Sequence, residues 1–217
     1  MPVFAITGNP GCGKSTVCAM LAKRGALIFD ADAYVHRLYQ NRKSPVYKKV
    51  ATVFPQTLTR GVIDRRALGA FVFNKPKARM RLEGIVHPPV IKALRAWCLK
   101  ARSKKLIALA EVPLLFEKKL ENIFDGVIVV RAPLKTLRER TKKRKGYSVR
   151  SARDRFSLYL PMATKIRQAD FIIDNSASRA RLYKEIDIAW KKIQTYTSRE
   201  KNSLRSITKE VSYGCDH

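Results

Sequence analysis

A glycine-bracketed loop near the N-terminus has the residue types needed to hold a phosphate. The chain begins the string ITGNPGCGKSTV at Ile6, and it fits the pattern GxxxxGKS with Gly8, Gly13, Lys14 and Ser15 at the fixed positions. Backbone N–H groups and the positive end of the following helix favour an anion at such a loop. The lysine of this pattern reaches the β- and γ-phosphates, and the hydroxyl of the serine that follows it binds Mg²⁺. The sequence therefore predicts a nucleoside triphosphate site.

Two carboxylates follow the second apolar run of the chain. Asp30 and Asp32 stand in FDADAYVHRL, where a strand predicted over Ala26 to Asp30 ends. Ligands of an open parallel sheet bind beyond the carboxyl ends of its strands, so one carboxylate is placed to accept the proton of an attacking hydroxyl. The other caps the following helix or reaches a metal through water. The alternative is that both only cap helices and form turns.

The elements around these residues predict a βαβ unit. Val3 to Thr7 is a short apolar strand, Lys14 to Arg24 a helix that Gly25 ends, and Ala26 to Asp30 a second strand. From Ala33 to about Ala101 helical periodicity replaces strand patterns, which indicates a helical insertion.

Caps and later strands complete the prediction. Within the insertion, Asp64 is the N-cap of one helix, and Pro88 with Pro89 begins the next. Three nearly continuous apolar runs then indicate strands buried in a parallel sheet: Leu106 to Val112, Gly126 to Val130 and Phe171 to Asp174. An amphipathic helix over Leu182 to Ile193 precedes a polar tail from Ser198. The fold class is α/β, with a parallel sheet flanked by helices.

Composition and charge limit the function classes. Hydrophobic residues make up 46% of 217 residues, which is typical of a globular protein. No run approaches the roughly 18 apolar residues of a membrane span, and the N-terminus has no secretory pattern, so we expect a cytoplasmic protein without a membrane partner. The net charge of +28 favours polyanions but is equally well explained as a compositional habit.

The four cysteines predict reduced thiols. Cys12, Cys18, Cys98 and Cys215 form no CxxC pair and no metal-ligand spacing. Cys12 satisfies the need for a small side chain inside the glycine loop. A redox-sensitive thiol is the alternative, because a helix N-terminus lowers a thiol pKa.

Six ordered blocks resemble the dephospho-CoA kinase family, over Val3 to Trp190. They are ITGNPGCGKSTV, FDADAYVHRL, GVIDRRALGAFVF, LEGIVHPPV, EVPLLFE and ADFIIDNS. The resemblance implies transfer of the ATP γ-phosphate to the ribose 3′-hydroxyl of dephospho-CoA, the last step of coenzyme A synthesis, with Mg²⁺. GTPases are disfavoured on the residues themselves, because the string nearest to NKxD, at Asn74, lacks the final carboxylate.

Site residues follow from the resemblance. It implies Asp32 as general base, with Lys14 and Arg140 stabilising charge. The residues implied at ATP are Gly8, Gly11, Cys12, Gly13, Lys14, Ser15, Thr16 and Asn175, with Ser15 also at the metal. The residues implied at the acceptor are Asp32, Arg65, His87, Glu111 and Leu115. For His87, Asn175 and Leu115, purely structural roles remain as alternatives.

The resemblance also implies a division of the chain. Residues 1–32 and 102–197 form the nucleotide-binding core, 33–101 the helical acceptor domain and 198–217 a tail. A helical lid covers about 134–165, with Arg140 or Arg144 closing on the transferring phosphate. Departures from the family pattern stand at Glu111, where the family usually has Asp, and at Lys145 and Tyr159.

Two other functions compete with this one. The first is another small kinase with the same loop, acting on a nucleoside or nucleotide. The second is a basic nucleic-acid-binding protein with a vestigial loop, which charge alone supports because no RNA- or DNA-binding signature occurs. Weak charge-driven binding of nucleic acid is compatible with catalysis.

Overall fold

The computed structural model describes residues 1–73, 75–142 and 158–196, with the side chains of all of these except 141 and 142. Arg144 and Lys145 of the predicted lid lie outside the described residues. Both helices and strands occur along the chain. Their bounds are β1 Val3–Thr7, α1 Lys14–Ala22, β2 Leu27–Asp30, α2 Ala31–Gln40, α3 Pro45–Val53, β3 Leu58–Thr59, β4 Val62–Ile63, α4 Arg65–Phe73, α5 Pro76–Arg102, β5 Ala108–Glu111, β6 Gly126–Arg131, α6 Leu134–Lys142, α7 Met162–Arg167, β7 Phe171–Asp174 and α8 Arg179–Thr195.

Within the described residues, five strands form a parallel sheet in the order β2-β5-β1-β6-β7. The predicted α/β class with a parallel sheet is confirmed. The register pairs Ile6 of β1 with Glu111 of β5 and with Ile128 of β6. The carboxyl ends of these strands therefore meet at the edge where the glycine loop leaves β1.

Contacts divide the chain into two compact units. One comprises Met1–Phe29 together with the described residues from Cys98 onward, and the other is Asp30–Trp97. The core of the first unit surrounds the sheet, where Phe4 packs edge-to-face on Phe171 and Tyr196 at centroid distances of 5.8 and 5.2 Å. Such pairs stabilise beyond their buried area. None of the described helices has the length and hydropathy required to cross a bilayer.

The unit Asp30–Trp97 is mainly helical, with one short antiparallel hairpin of β3 and β4 that the sequence did not predict. Asp64 caps α4 as expected, because its carboxylate accepts the backbone N–H groups of Arg66 and Ala67 at 2.8 and 3.1 Å. The half-buried carboxylate thereby satisfies two amides that a helix start leaves unpaired.

The prediction that Pro88 and Pro89 begin a helix is wrong. Both lie inside α5, which runs unbroken over 27 residues. Val86 before the pair and Val90 after it pack on the same apolar cluster of this unit. We attribute the continuous helix to this burial on both sides, which offsets the backbone hydrogen bonds that proline removes.

Candidate active site

The glycine loop joins β1 to α1, and its backbone favours glycine at three positions. Gly8 has φ 147°, Gly11 has φ 80° and Gly13 has φ 95°, all in the region that favours glycine. A Cβ on Gly8 would collide with the carbonyl oxygen of Val130, and one on Gly13 with the side-chain amide of Asn175. The loop is therefore packed against the ends of β6 and β7, which fixes the direction of its N–H groups.

Lys14 is the first residue of α1 and is 8% exposed. Its ammonium donates hydrogen bonds to the carbonyl oxygens of Gly8 and Asn9 at 3.0 and 3.3 Å. These two hydrogen bonds hold the ammonium against the backbone of its own loop. This is the orientation from which a lysine meets the phosphates that the loop binds.

Ser15 and Glu111 bring a hydroxyl and a carboxylate together beside the loop. The Ser15 hydroxyl donates to Oε1 of Glu111 at 3.0 Å. Glu111 is 7% exposed and ends β5, the strand next to β1. A hydroxyl and a carboxylate in contact are hard oxygen donors of the kind that Mg²⁺ prefers. Among the described residues, no cluster of three or more His, Cys, Asp or Glu forms a self-sufficient metal site.

Asn175 links the loop to the end of β7 and to α6. Its side-chain amide donates to the carbonyl oxygen of Cys12 at 2.8 Å, and its backbone carbonyl oxygen accepts from the Arg140 guanidinium at 3.3 Å. A cleft of about 480 Å³ opens beside these groups. It is lined by Gly11, Gly13, Thr16, Arg140, Asn175, Ala177, Arg179 and Leu182. Arg140, predicted at the transferring phosphate, and Asn175, predicted at ATP, therefore lie together at one cleft.

Cys12 does not have the environment of a reactive thiol. Its side chain is fully buried beneath the loop, with the Lys14 ammonium 4.0 Å from its sulfur. Burial raises the pKa of the Cys12 thiol, and the nearby Lys14 opposes the shift without reversing it. The alternative of a lowered thiol pKa at the helix N-terminus is corrected, because desolvation exceeds the favourable field.

The two carboxylates predicted after β2 have different surroundings within the unit Asp30–Trp97. Asp30 is the N-cap of α2, since its Oδ1 accepts the backbone N–H of Ala33 at 2.9 Å. Asp32 lies in the first turn of α2 and is exposed. The cap role is thus taken by Asp30, which leaves Asp32 as the candidate base.

The other acceptor-side candidates lie on separate elements. Arg65 begins α4 and is exposed. Burial raises the pKa of Tyr39 to about 12, and the charge of Arg65 partly opposes this rise. His87 lies within α5 and is half-buried. Leu115 is fully buried in the other unit, as a core residue would be.

One buried ionic group was not singled out by the sequence analysis. Lys165 of α7, at the end of the predicted lid, is fully buried and pairs with Glu117 at 2.7 Å. The available signal was Glu117, the final residue of the EVPLLFE block.

Comparison with known proteins places this geometry in a family. The family model described as dephospho-CoA kinase matches residues 2–181. The dephospho-CoA kinase of Novosphingobium aromaticivorans is 38% identical over 178 residues, which cover 82% of this chain and 88% of that protein.

Two solved structures are similar over nearly the same length. TT1252 from Thermus thermophilus superposes with a TM-score of 0.73 at 32% identity, covering 88% of this chain and 97% of that one. The dephospho-CoA kinase from Campylobacter jejuni gives 0.62 at 26% identity, with 88% and 97% covered. With the matched loop and strand-end carboxylate, these findings support one conclusion: the chain belongs to the dephospho-CoA kinase family.

Proposed function

We propose that the protein transfers the γ-phosphate of ATP to the ribose 3′-hydroxyl of dephospho-CoA, giving coenzyme A and ADP. The observation that carries the proposal is the hydrogen bond from Ser15 to Glu111. It lies beside a glycine loop whose carbonyl oxygens already bind the Lys14 ammonium. In phosphoryl transfer, positioning and charge stabilisation supply most of the rate. The family membership supports the choice of acceptor.

The donor side is formed by the glycine loop and the neighbouring cleft. The N–H groups of Gly11, Gly13 and Lys14 are proposed to bind the β-phosphate. Pro10 has no backbone N–H, and the N–H of Cys12 donates to the Asn9 carbonyl oxygen at 3.2 Å. Lys14 moves from its carbonyl partners to the β- and γ-phosphates. Arg140 and Asn175 bind the remainder of the nucleotide in the cleft that they line.

Mg²⁺ fits the residues at the carboxyl end of β5. Ser15 would supply a hydroxyl, and Glu111, its hydrogen-bond partner 3.0 Å away, would supply a carboxylate that orients the hydroxyl and attracts the cation. A bound Mg²⁺ neutralises charge on the phosphate oxygens. Glu111 is therefore assigned here to the metal side rather than to the acceptor.

The unit Asp30–Trp97 is proposed to receive the acceptor. Asp32 accepts the proton of the 3′-hydroxyl while the oxygen of that hydroxyl forms the new bond to the γ-phosphorus. The bond between this phosphorus and the leaving ADP oxygen breaks in the same step. Arg65 and His87 are proposed to bind acceptor groups. The net charge of +28 adds weak, salt-dependent attraction to nucleic acid.

The test is coupled ADP release with a panel of acceptors. Dephospho-CoA is expected to give ADP well above the background of ATP alone, whereas nucleosides, nucleotides and RNA are not. Phosphate at the 3′-position, identified in the product by mass spectrometry and nuclease digestion, would establish the acceptor atom. ADP release driven by a nucleoside but not by dephospho-CoA would reject the proposal in favour of another small kinase.

A further inference from the structure

Lys165 and Glu117 form a buried ion pair next to the loop. The Lys165 side chain has no exposed surface, and that of Glu117 is 11% exposed. Their Nζ and Oε1 atoms are 2.7 Å apart. The same Oε1 accepts the backbone N–H of Leu160 at 2.8 Å, and the Tyr159 ring centroid is 5.0 Å from Nζ. One carboxylate thus fixes both α7 and the segment that precedes it.

The pair connects to the loop through the segment that follows β5. Glu111, at the start of this segment, contacts Ser15, and Glu117 stands six residues later. Lys165 acts electrostatically on Lys14 and on Cys12. Two carboxylates of a single segment therefore act on one phosphate loop, the first directly and the second through Lys165.

Stability alone does not account for this pair. Removing two charges from water costs more than most buried pairs regain, and apolar residues of similar size often serve the fold equally well. Burial lowers the pKa of Lys165, and the paired charge of Glu117 opposes that shift. Glu117 thus favours the charged form of a lysine that the interior would otherwise neutralise.

We propose that Lys165, held by Glu117, is a positioning residue that keeps a positive charge behind the glycine loop and thereby favours binding of the ATP triphosphate. Lys165 acts on the loop through its charge and not by touching the reacting atoms. The ion pair has no net charge, but Lys165 rather than Glu117 is the member that acts on Lys14 and Cys12. In a low-dielectric region the nearer charge of such a pair outweighs the more distant one in its attraction for a polyanion. The inference rests on the proposed function for its ligand and leaves the acceptor open.

The variant that tests the proposal is the double substitution Lys165→Met with Glu117→Gln. Each single variant leaves one buried charged group without its ionic partner, so both are expected to lower the thermal midpoint. The double variant removes both charges and preserves their volumes, so its midpoint is expected to return close to that of the unsubstituted protein. Its Kd for Mg-ATP, measured by calorimetry without acceptor, is expected to stay raised by about tenfold.

The matched control is Arg181→Met with Glu185→Gln. It removes an ion pair of 3.2 Å on the surface of α8. This control is expected to keep the Kd for Mg-ATP, and KM for dephospho-CoA is expected to change by less than about twofold in both double variants. If the methionine variant does not fold, Lys165→Gln with Glu117→Gln gives the same comparison, because two amides can hydrogen-bond to each other.

The outcomes separate positioning from packing. Recovered stability with persistently weak ATP binding supports the proposal. Recovered stability with normal ATP binding overturns it and leaves the pair a structural one. The calorimetric readout does not involve an acceptor, so an inactive panel of acceptors would reject the proposed function without bearing on this result.

Discussion

Ser15 at the start of α1 donates a hydrogen bond of 3.0 Å to Glu111 at the end of β5. The two residues are 96 positions apart and meet because β5 lies beside β1 in the sheet. A hydroxyl and a carboxylate in this relation can bind a hard cation and its waters, but cannot replace the phosphate oxygens that complete the coordination. The contact therefore defines the metal side of the candidate site.

Glu111→Gln is expected to raise the Mg²⁺ concentration needed for half-maximal rate by about tenfold. The amide preserves the shape and can still accept from Ser15, but it loses the charge that attracts the cation. The measurement is ADP release during a Mg²⁺ titration at saturating ATP. Glu121→Gln, in a short helical turn after the same segment, is the matched control. An unchanged Mg²⁺ requirement together with a raised KM for dephospho-CoA would return Glu111 to the acceptor side.

Asp32→Asn is expected to reduce kcat by about 10²- to 10⁴-fold, because the amide cannot take the proton of the attacking hydroxyl. The Kd for ATP is expected to be nearly unchanged. Single-turnover phosphoryl transfer and calorimetry measure the two quantities separately.

Asp30→Asn is the control for this substitution. Asn is as good an N-cap as Asp, so the hydrogen bond to the Ala33 amide and the stability are expected to persist. A full rate in the Asp32 variant, or an equal loss in the Asp30 variant, would contradict the assignment of Asp32 as base.

The loop and most of the sheet were predictable because local patterns specify them. The glycine spacing requires a turn with positive φ at Gly13. The apolar run at Phe171–Asp174 predicted a strand, which forms as the edge strand β7 with Ile173 buried and Ile172 exposed. Asp64 was recognisable as a cap because its carboxylate precedes a helical pattern directly. Each of these features depends on residues close together in the chain.

The missed features depend on partners that are distant in the chain. The sequence alone does not specify which strands are neighbours in the sheet, so the contact between Ser15 and Glu111 could not be predicted from it. Pro88 remains helical only because tertiary packing covers the residues around it. Lys165 ends the predicted lid, where a lysine is normally solvated, and its burial depends on a carboxylate 48 positions earlier, Glu117.

Arg140→Ala is expected to raise KM for ATP by about tenfold, with kcat at saturating ATP changed by less than about threefold. The reason is its position: the guanidinium donates to the carbonyl of Asn175 and lines the cleft beside Thr16. The sequence resemblance placed this arginine at the transferring phosphate, which predicts the opposite division between KM and kcat.

Arg138→Ala on the same helix is the control, because Arg138 is exposed and does not line the cleft. Steady-state kinetics with ATP as the varied substrate decides between the two roles of Arg140. A large loss of kcat with an unchanged KM for ATP would assign it to the transferring phosphate.

The described thiols are expected to resist alkylation in the folded protein. Cys12, Cys18 and Cys98 are buried. Burial raises the pKa of the Cys12 thiol and raises that of Cys98 to about 11. Since the thiolate is the reactive species, a Cys215→Ser variant is expected to react with a disulfide reagent at pH 8 only after unfolding in urea, when three thiols are titrated.

The same shift predicts how stability depends on pH. The fold favours protonated Cys98, so this contribution is complete below pH 9, the ordinary thiol pKa, and is lost as pH rises through about 11. The urea midpoint is expected to fall between pH 8 and pH 10, and to fall further in the Cys215→Ser protein than in the same protein with Cys98→Ala. The alanine side chain does not titrate. Equal pH dependence in the two proteins would show that the pKa of Cys98 is not raised. Rapid labelling of native Cys12 that ATP suppresses would instead establish an accessible thiol at the loop, contrary to its full burial.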